Sequence, residues 1–340
     1  MTKIRIGLMG FGRIGRNVFR LTRQHPDVEV VAISDIADPA GLTYLLKYDS
    51  IYGRYPGEVS YSDGVLTAEG REIVFDRAKT PADTRWKEHG VDLVVEATSR
   101  YRTREANQGH LDSGAQAVVV ASSPEVPGDI PMVLPGINDE VLDSAPRIVA
   151  MGSNTSNAIA PVLRTLDEEF GIVRAFWTTV HAISNSGRLA DVPTSGFRSS
   201  RAAGENIIPE QTNSPEIVAQ VMPELDGKLF AVALNVPVSD GSTVDLVIES
   251  ARETTKEEVN AALEKAARDR YPGILEYSED PIVSSDVKGS QFSGVFDSLA
   301  TLVMAGTMVK TITWFNNGWG YSARLVEVIE TLASDLGKES

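Results

Sequence analysis

Three glycines in the run Gly10-Phe11-Gly12-Arg13-Ile14-Gly15 stand at G-x-G-x-x-G spacing. Where such a run joins a strand to a helix, the first two glycines let the chain turn tightly and let backbone amides approach a pyrophosphate, whose charge the helix amino terminus favours. Asp35 lies twenty residues beyond Gly15, where a carboxylate accepts hydrogen bonds from an adenosine ribose. Its charge opposes an added 2′-phosphate, and no arginine follows within the next few residues, so NAD is expected as cofactor over NADP. Equally informative is a residue type the chain lacks. It contains no cysteine, which removes disulfides, thiolate metal sites and thiol nucleophiles together. No metal site is assigned.

The glycine run needs flanking elements to hold it, and the pattern supplies them. Lys3 to Gly10 reads as a strand, and from Gly12 the apolar residues Ile14, Val18, Phe19 and Leu21 recur at helical spacing until Pro26. Further β-rich runs at Val28 to Ser34, Val91 to Glu96, Ala117 to Ala121 and Arg147 to Met151 predict a doubly wound, parallel α/β sheet. After about residue 153 the texture changes. One helix, Thr155 to Phe170, is followed by strand-like runs at Val173 to Ile183, Leu229 to Val238, Thr243 to Ser250, Thr301 to Met304 and Thr307 to Phe315. A helix opening with the capping box Thr255-Lys256-Glu257-Glu258 interrupts them. This half predicts an α+β domain with a mainly antiparallel sheet. Ser184 to Asn206 is irregular and rich in Ser, Gly and Arg, and Ser322 to Leu336 reads as a closing amphipathic helix.

A chain of 340 residues, 42% hydrophobic and 23% charged, fits two globular domains and excludes disordered or collagen-like classes. Its net charge of −15 repels nucleic acid phosphates and anionic lipid headgroups, so a small-molecule partner is expected, with no nucleic acid and no membrane. Charges inside the first apolar stretch and the lack of any eighteen-residue apolar run predict a cytoplasmic protein without an export signal.

Six segments carry a resemblance to a known family: Gly10 to Arg16, Lys47-Tyr48-Asp49-Ser50, Val94-Val95-Glu96-Ala97-Thr98, Trp177-Thr178-Thr179-Val180-His181-Ala182, Asn206-Ile207-Ile208-Pro209 and Trp319-Gly320-Tyr321-Ser322. Together they make the chain resemble phosphorylating glyceraldehyde-3-phosphate dehydrogenase nearly end to end. The resemblance implies an NAD-binding Rossmann domain at 1–153, a catalytic domain at 154–319, a terminal helix at 320–340 that returns to the first domain, and a homotetramer. It implies that Ser184 to Asn206 reaches a neighbouring subunit's cofactor site and that Pro193 crowds the place of a 2′-phosphate. It places cofactor contacts at Gly10, Phe11, Gly12, Arg13, Ile14, Gly15, Asp35, Thr98, Asn317 and Tyr321, with Asn317 holding the nicotinamide carboxamide. His181 stands where the family's general base stands, and imidazole suits proton transfer near neutral pH.

The departures from the family pattern decide the chemistry. Where the family reads Ser-Cys-Thr-Thr-Asn-Cys, this chain reads Ser153-Asn154-Thr155-Ser156-Asn157-Ala158, so Asn154 occupies the place of the nucleophilic cysteine. Asn235 and Ser199 stand where the family has two arginines that hold phosphate, while Glu216 replaces a lysine, and Met9 and Ser99 replace an asparagine and a glycine near the dinucleotide. Ser153, Thr155, Ser184 and Thr212 keep hydroxyls at matched positions, and with Asn235 they are the expected substrate contacts. Three functions are compatible with this pattern. The residues favour hydride transfer to or from a small polar carbonyl or alcohol without a covalent intermediate, with His181 as acid/base and Asn154 as hydrogen-bond donor to the reacting oxygen. The alternatives are a catalytically silent NAD-binding regulatory or scaffolding protein and, less in keeping with a chain that has no thiol, the family's own phosphorylating reaction.

Overall fold

The computed structural model describes residues 3–184 and 187–336. Positions 185–186 of the irregular loop and 337–340 of the expected terminal helix lie outside the described residues. The chain forms two compact units, one reaching to Gly152 and resuming at Ser322, the other spanning Ser153–Tyr321. No helix among the described residues is long and apolar enough to cross a membrane.

In the first unit β1 (Ile4–Met9), α1 (Arg13–Leu21), β2 (Val28–Ser34) and α2 (Pro39–Lys47) follow one another as the glycine run requires. A short hairpin, β3 (Tyr48–Asp49) with β4 (Gly53–Arg54), precedes β5 (Val59–Ser62), β6 (Val65–Ala68) and β7 (Arg71–Asp76). Then come β8 (Leu93–Glu96), α3 (Arg104–Asp112), β9 (Ala117–Val120) and β10 (Ile148–Ala150). The sheet order is β10-β9-β8-β1-β2-β7-β6-β5. From β10 to β7 every pairing is parallel. The apolar runs of β8 and β9 are buried at every position, as a sheet covered on both faces demands.

The parallel sheet is extended by an antiparallel edge that the pattern of strands and helices did not foretell. Asp63-Gly64 joins β5 to β6 and Glu69-Gly70 joins β6 to β7, and all four residues have positive φ, between 51° and 82°. Two consecutive residues of that kind make the tight hairpin turn whose twist matches its strands. The signal was present in the sequence as Asp-Gly and Glu-Gly between alternating residues.

The second unit opens with α4 (Asn154–Phe170), whose Ile159, Val162, Leu163 and Leu166 are fully buried. It continues through β11 (Ile172–His181), β12 (Ile208–Glu210), α5 (Ser214–Val221), β13 (Leu229–Asn235), β14 (Ser242–Ser250), α6 (Lys256–Asp269), β15 (Leu275–Ser278), β16 (Gly294–Met304) and β17 (Met308–Phe315). The final helix α7 (Trp319–Leu336) begins here, and from Ser322 it belongs to the first unit. The sheet order is β12-β13-β11-β14-β17-β16-β15, antiparallel except for β13 with β11 and β15 with β16.

Two expected strands have different limits. The run expected at Thr301 begins at Gly294, because Asp297 accepts hydrogen bonds from the amides of Leu299 and Ala300 and bulges the strand where the sequence looks irregular. The strand expected to reach Val238 ends at Asn235. Along β11, Ala175, Trp177 and Thr179 are buried while Phe176 is exposed, which puts His181 on the buried face.

The second and third glycines of the nucleotide run have separable demands. A Cβ on Gly15 would stand 2.2 Å from the Gly10 carbonyl oxygen, whereas one on Gly12 would meet nothing within 4 Å. Gly15→Ala is therefore expected to destabilise the protein by about 1–3 kcal/mol through forced backbone movement. Gly12→Ala is expected to stay within about 1 kcal/mol of the parent while weakening NAD binding, and urea denaturation with NAD titration checks both.

Candidate active site

In the first unit backbone geometry alone leaves a helix end that an anion can approach. Gly10 has φ +94°, and its place against Ala97 and Thr98 leaves 3.0 Å for a Cβ. Gly12 is the N-cap of α1 with no side-chain cap, and the first turn holds no acidic residue. The positive end of this helix is thus left for a ligand, and the open space at Gly12 is where one can approach. Asp35 fastens the turn: its carboxylate accepts the Phe11 amide at 2.7 Å and the Ala37 amide at 2.9 Å. A carboxylate has about four lone-pair positions, so room remains for ribose hydroxyls.

Of Phe11, only the backbone is placed to serve among the expected cofactor contacts. Its side chain is fully buried, packed edge-to-face on Phe19 at 5.7 Å and Phe75 at 5.8 Å. The aromatic ring is core, and only the backbone of this residue belongs to the turn. Arg13 and Ile14 are partly exposed. Arg16 reaches back to the Phe11 carbonyl at 3.0 Å, and burial lowers its pKa, with Asp49 opposing.

Thr98 is held by the Glu96 carboxylate, which accepts both its amide, at 2.7 Å, and its hydroxyl. Behind Glu96 lies a buried relay. Trp86 Nε1 donates to His110 Nδ1 at 2.9 Å, so the His110 proton sits on Nε2, 3.2 Å from Glu96. Next to Thr98, Ser99 has φ +59°, a conformation that favours glycine. Arg77, 41 residues from Ile36 in sequence, binds the Ile36 carbonyl at 2.7 Å beside Asp35. No local pattern reveals that arginine, because the neighbouring strands β2 and β7 bring it there.

In the second unit Asn154, His181 and Asn317 come together. Ser242 Oγ accepts the Ala182 amide at 2.9 Å and donates to Asn317 Oδ1 at 2.5 Å. That fixes the Asn317 amide with Nδ2 turned to the His181 ring, 3.2 Å from Nδ1 and 3.4 Å from Nε2. His181 Nδ1 lies 2.7 Å from the Ala182 carbonyl. A carbonyl only accepts, so Nδ1 carries the proton and Nε2 holds the lone pair that Asn317 meets. Asn154 Nδ2 donates to the Asn317 carbonyl at 3.0 Å, and its Oδ1 accepts the Thr155 amide at 2.8 Å. A proton acceptor and an amide donor are thereby held against one residue.

This geometry spends Asn317 within its own unit. The residue is 5% exposed, with both amide atoms bonded to protein, so the expected carboxamide contact would require one of these bonds to exchange. Tyr321 is likewise 5% exposed, and burial pushes its hydroxyl pKa well up.

The expected substrate hydroxyls divide. Ser153 Oγ caps α4 by accepting the Ser156 amide at 3.1 Å and pairs with Ser156 Oγ at 2.7 Å. Thr155 is 6% exposed. Thr212 Oγ1 bonds Ser214, at 3.0 Å to its hydroxyl and 3.2 Å to its amide, shaping the start of α5. These three hydroxyls are committed to local structure. Ser184 and Asn235 instead line one shallow cleft with Arg188, Ser199, Arg201 and Glu210. Glu210 was not foreseen as part of a site.

Elsewhere, His25, Asp27 and Glu330 hold ligand atoms within 4.8 Å of one another. His25 Nδ1 accepts the amides of Asp27 and Val28, both at 3.2 Å, so Nε2 bears the proton and faces Glu330 at 3.3 Å. The trio is a hydrogen-bonded pair with a neighbour and offers a metal no imidazole lone pair.

Comparison with known proteins agrees with the two units. Residues 4–104 match the family described as glyceraldehyde 3-phosphate dehydrogenase, NAD binding domain, and 153–317 match its C-terminal domain. The protein named glyceraldehyde-3-phosphate dehydrogenase from Geobacillus stearothermophilus is 46% identical over 332 residues, 97% of this chain and 98% of that protein. Glyceraldehyde-3-phosphate dehydrogenase 2 of Streptomyces avermitilis is 44% identical over 335 residues, 98% of this chain and 99% of that protein. The enzyme of that name from Thermotoga maritima is 44% identical over 330 residues, 96% and 98% of the two chains.

The hydroxyl of Ser242 makes a prediction about a neighbour it does not touch. His25 and His110 have their protons on Nε2, while His181 has its proton on Nδ1, so nitrogen NMR distinguishes them. Ser242→Ala is expected to mix the two tautomers of His181 and leave those of His25 and His110 unchanged.

Proposed function

The chain belongs to the glyceraldehyde-3-phosphate dehydrogenase family of NAD-dependent oxidoreductases, and from that premise we propose that it transfers hydride without a covalent enzyme intermediate. The substrate is a small polar carbonyl or alcohol, and the cysteine nucleophile of the family is replaced by Asn154. The observation that carries this reading is the meeting of the His181 Nε2 lone pair and the Asn154 amide at Asn317 in a chain with no cysteine.

NAD, when bound, supplies the hydride acceptor or, reduced, the donor. Gly10, Gly12 and Gly15 with the amino terminus of α1 would hold its pyrophosphate, and Asp35 its adenosine ribose. The chain's own residues supply the proton chemistry. Once a substrate hydroxyl displaces the Asn317 amide from it, His181 Nε2 takes the hydroxyl proton of an alcohol, and the Nδ1–H bond to the Ala182 carbonyl stabilises the resulting imidazolium. The second Nδ2 proton of Asn154 supports the reacting oxygen as it gains or loses charge. A carboxamide nitrogen is a poor nucleophile, so no acyl group is carried on this residue.

The amino terminus of α4 supports a substrate without phosphate. Ser153 and Asn154 fill its first amides with their own oxygens, leaving less of the helix end for an anion. Asn235 and Ser199 carry no charge where the family pattern has arginine. Assembly as a homotetramer and a cytoplasmic location complete the proposal, and the exposed apolar residues Phe176, Phe230, Val232, Leu302 and Met308 on the sheet and Leu189 and Phe197 in the loop support association between copies. A second reading, a silent NAD-binding regulatory or scaffolding protein, is favoured by one observation: Asn317 has both amide atoms already engaged.

Nicotinamide absorbance, followed with NAD or NADH against a panel of aldehydes, ketones and polyols, tests the proposal. Turnover is expected with an unphosphorylated member, and His181→Ala is expected to lower it about 100-fold or more. Robust phosphate-dependent oxidation of glyceraldehyde 3-phosphate would overturn the reading, and NAD binding without turnover on the whole panel would favour the silent one.

A further inference from the structure

The face of the second sheet that bears His181 continues across two more strands. His181 at the end of β11 is in parallel register with Asn235 of β13, and Asn235 is in antiparallel register with Ile208 of β12. Residues paired side by side point to one face, and so do residues two apart on a strand. His181, Asn235 and Glu210 therefore share a face, and the latter two line the cleft with Ser184, Ser199, Arg188 and Arg201.

Asn235 Nδ2 donates to Glu210 Oε2. A carboxylate only accepts, so this bond turns the Asn235 carbonyl oxygen away from Glu210. The pair then presents acceptors, the second carboxylate oxygen and the amide oxygen. Charge around the cleft is balanced: Arg201 is paired with Asp191 at 3.2 Å, and Glu210 offsets Arg188. A dianionic phosphate has no protons to donate to these acceptors and finds the attraction of Arg188 offset by Glu210, as an ammonium group finds the attraction of Glu210 offset by Arg188. Hydroxyl groups satisfy the acceptors and are indifferent to the charge.

We infer that Glu210, with Asn235, is the specificity-determining pair of this site and binds the hydroxyls of an uncharged polyol, excluding phosphate esters. The inference rests on the reading that the site at His181 handles a small polar substrate, but its test needs no turnover.

Erythritol serves as the probe, followed by saturation-transfer NMR on the full-length protein with NAD present, and inorganic phosphate is followed by phosphorus line broadening. The parent protein is expected to bind erythritol saturably and not phosphate. Glu210→Ala is expected to weaken erythritol about tenfold. Glu210→Gln, which keeps the side chain's shape and the acceptor for Asn235 but exchanges the other acceptor for a donor that a hydroxyl can also meet, is expected to hold erythritol within about threefold and to admit phosphate. The inference is overturned if the parent binds phosphate saturably, if it binds no erythritol, or if Glu210→Ala leaves erythritol unaffected. Glu210-dependent erythritol binding in a protein that never reduces NAD would sink the redox reading alone. NAD reduction by a polyol that is indifferent to Glu210→Ala would sink the specificity inference alone.

Discussion

One buried hydroxyl decides which way round an amide stands. Ser242 already accepts the Ala182 amide, so its own proton has to go to Asn317 Oδ1, and the Asn317 nitrogen is left facing His181. The Ala182 carbonyl, from the same peptide stretch, holds the other side of the imidazole. His181 thereby has a defined tautomer with its lone pair on Nε2, and Asn154 is tied to the Asn317 backbone beside it. Each partner has one set of roles, because a carbonyl cannot donate and an amide nitrogen cannot accept. The arrangement keeps a base and a neutral donor in place and makes no use of sulfur.

Two helix amino termini show how the same backbone feature is used in different ways. The first turn of α1 has neither side-chain cap nor acidic residue, and glycine leaves its approach open. Its field is available to a pyrophosphate. The first turn of α4 is closed by Ser153 and Asn154. Its field is largely consumed within the chain, which matches a site that works on an uncharged group. The uncharged side chains at Ser199 and Asn235 and the presence of Glu210 act in the same direction.

Much of the fold was legible in the sequence. Buried parallel strands read as apolar runs, and Val28–Ser34 was delimited to the residue. The G-x-G-x-x-G spacing located the turn, and the second unit's antiparallel character followed from long strand-like runs with few helices. The edge hairpins β5 to β7 were missed although Asp63-Gly64 marked the first, and Asp297 disguised the start of β16. Site residues were legible by type and less so by role. Phe11, Ser153 and Thr212 were expected at ligands, and spacing alone does not reveal that their side chains also bond neighbours a few residues away or pack in the core. Ser242, Glu210 and Arg77 escaped notice for the opposite reason. Ser242 acts on residues 60 and 75 positions away, and only strand pairing brings such groups together.

The central claim is that no bond forms between substrate and protein. The most direct measurement is the intact mass of the protein, sampled during turnover with NAD while nicotinamide reduction is recorded. Non-covalent transfer predicts an unmodified mass at every time point as NADH accumulates. A species heavier by the acyl group of the substrate, appearing and decaying with turnover, would contradict it.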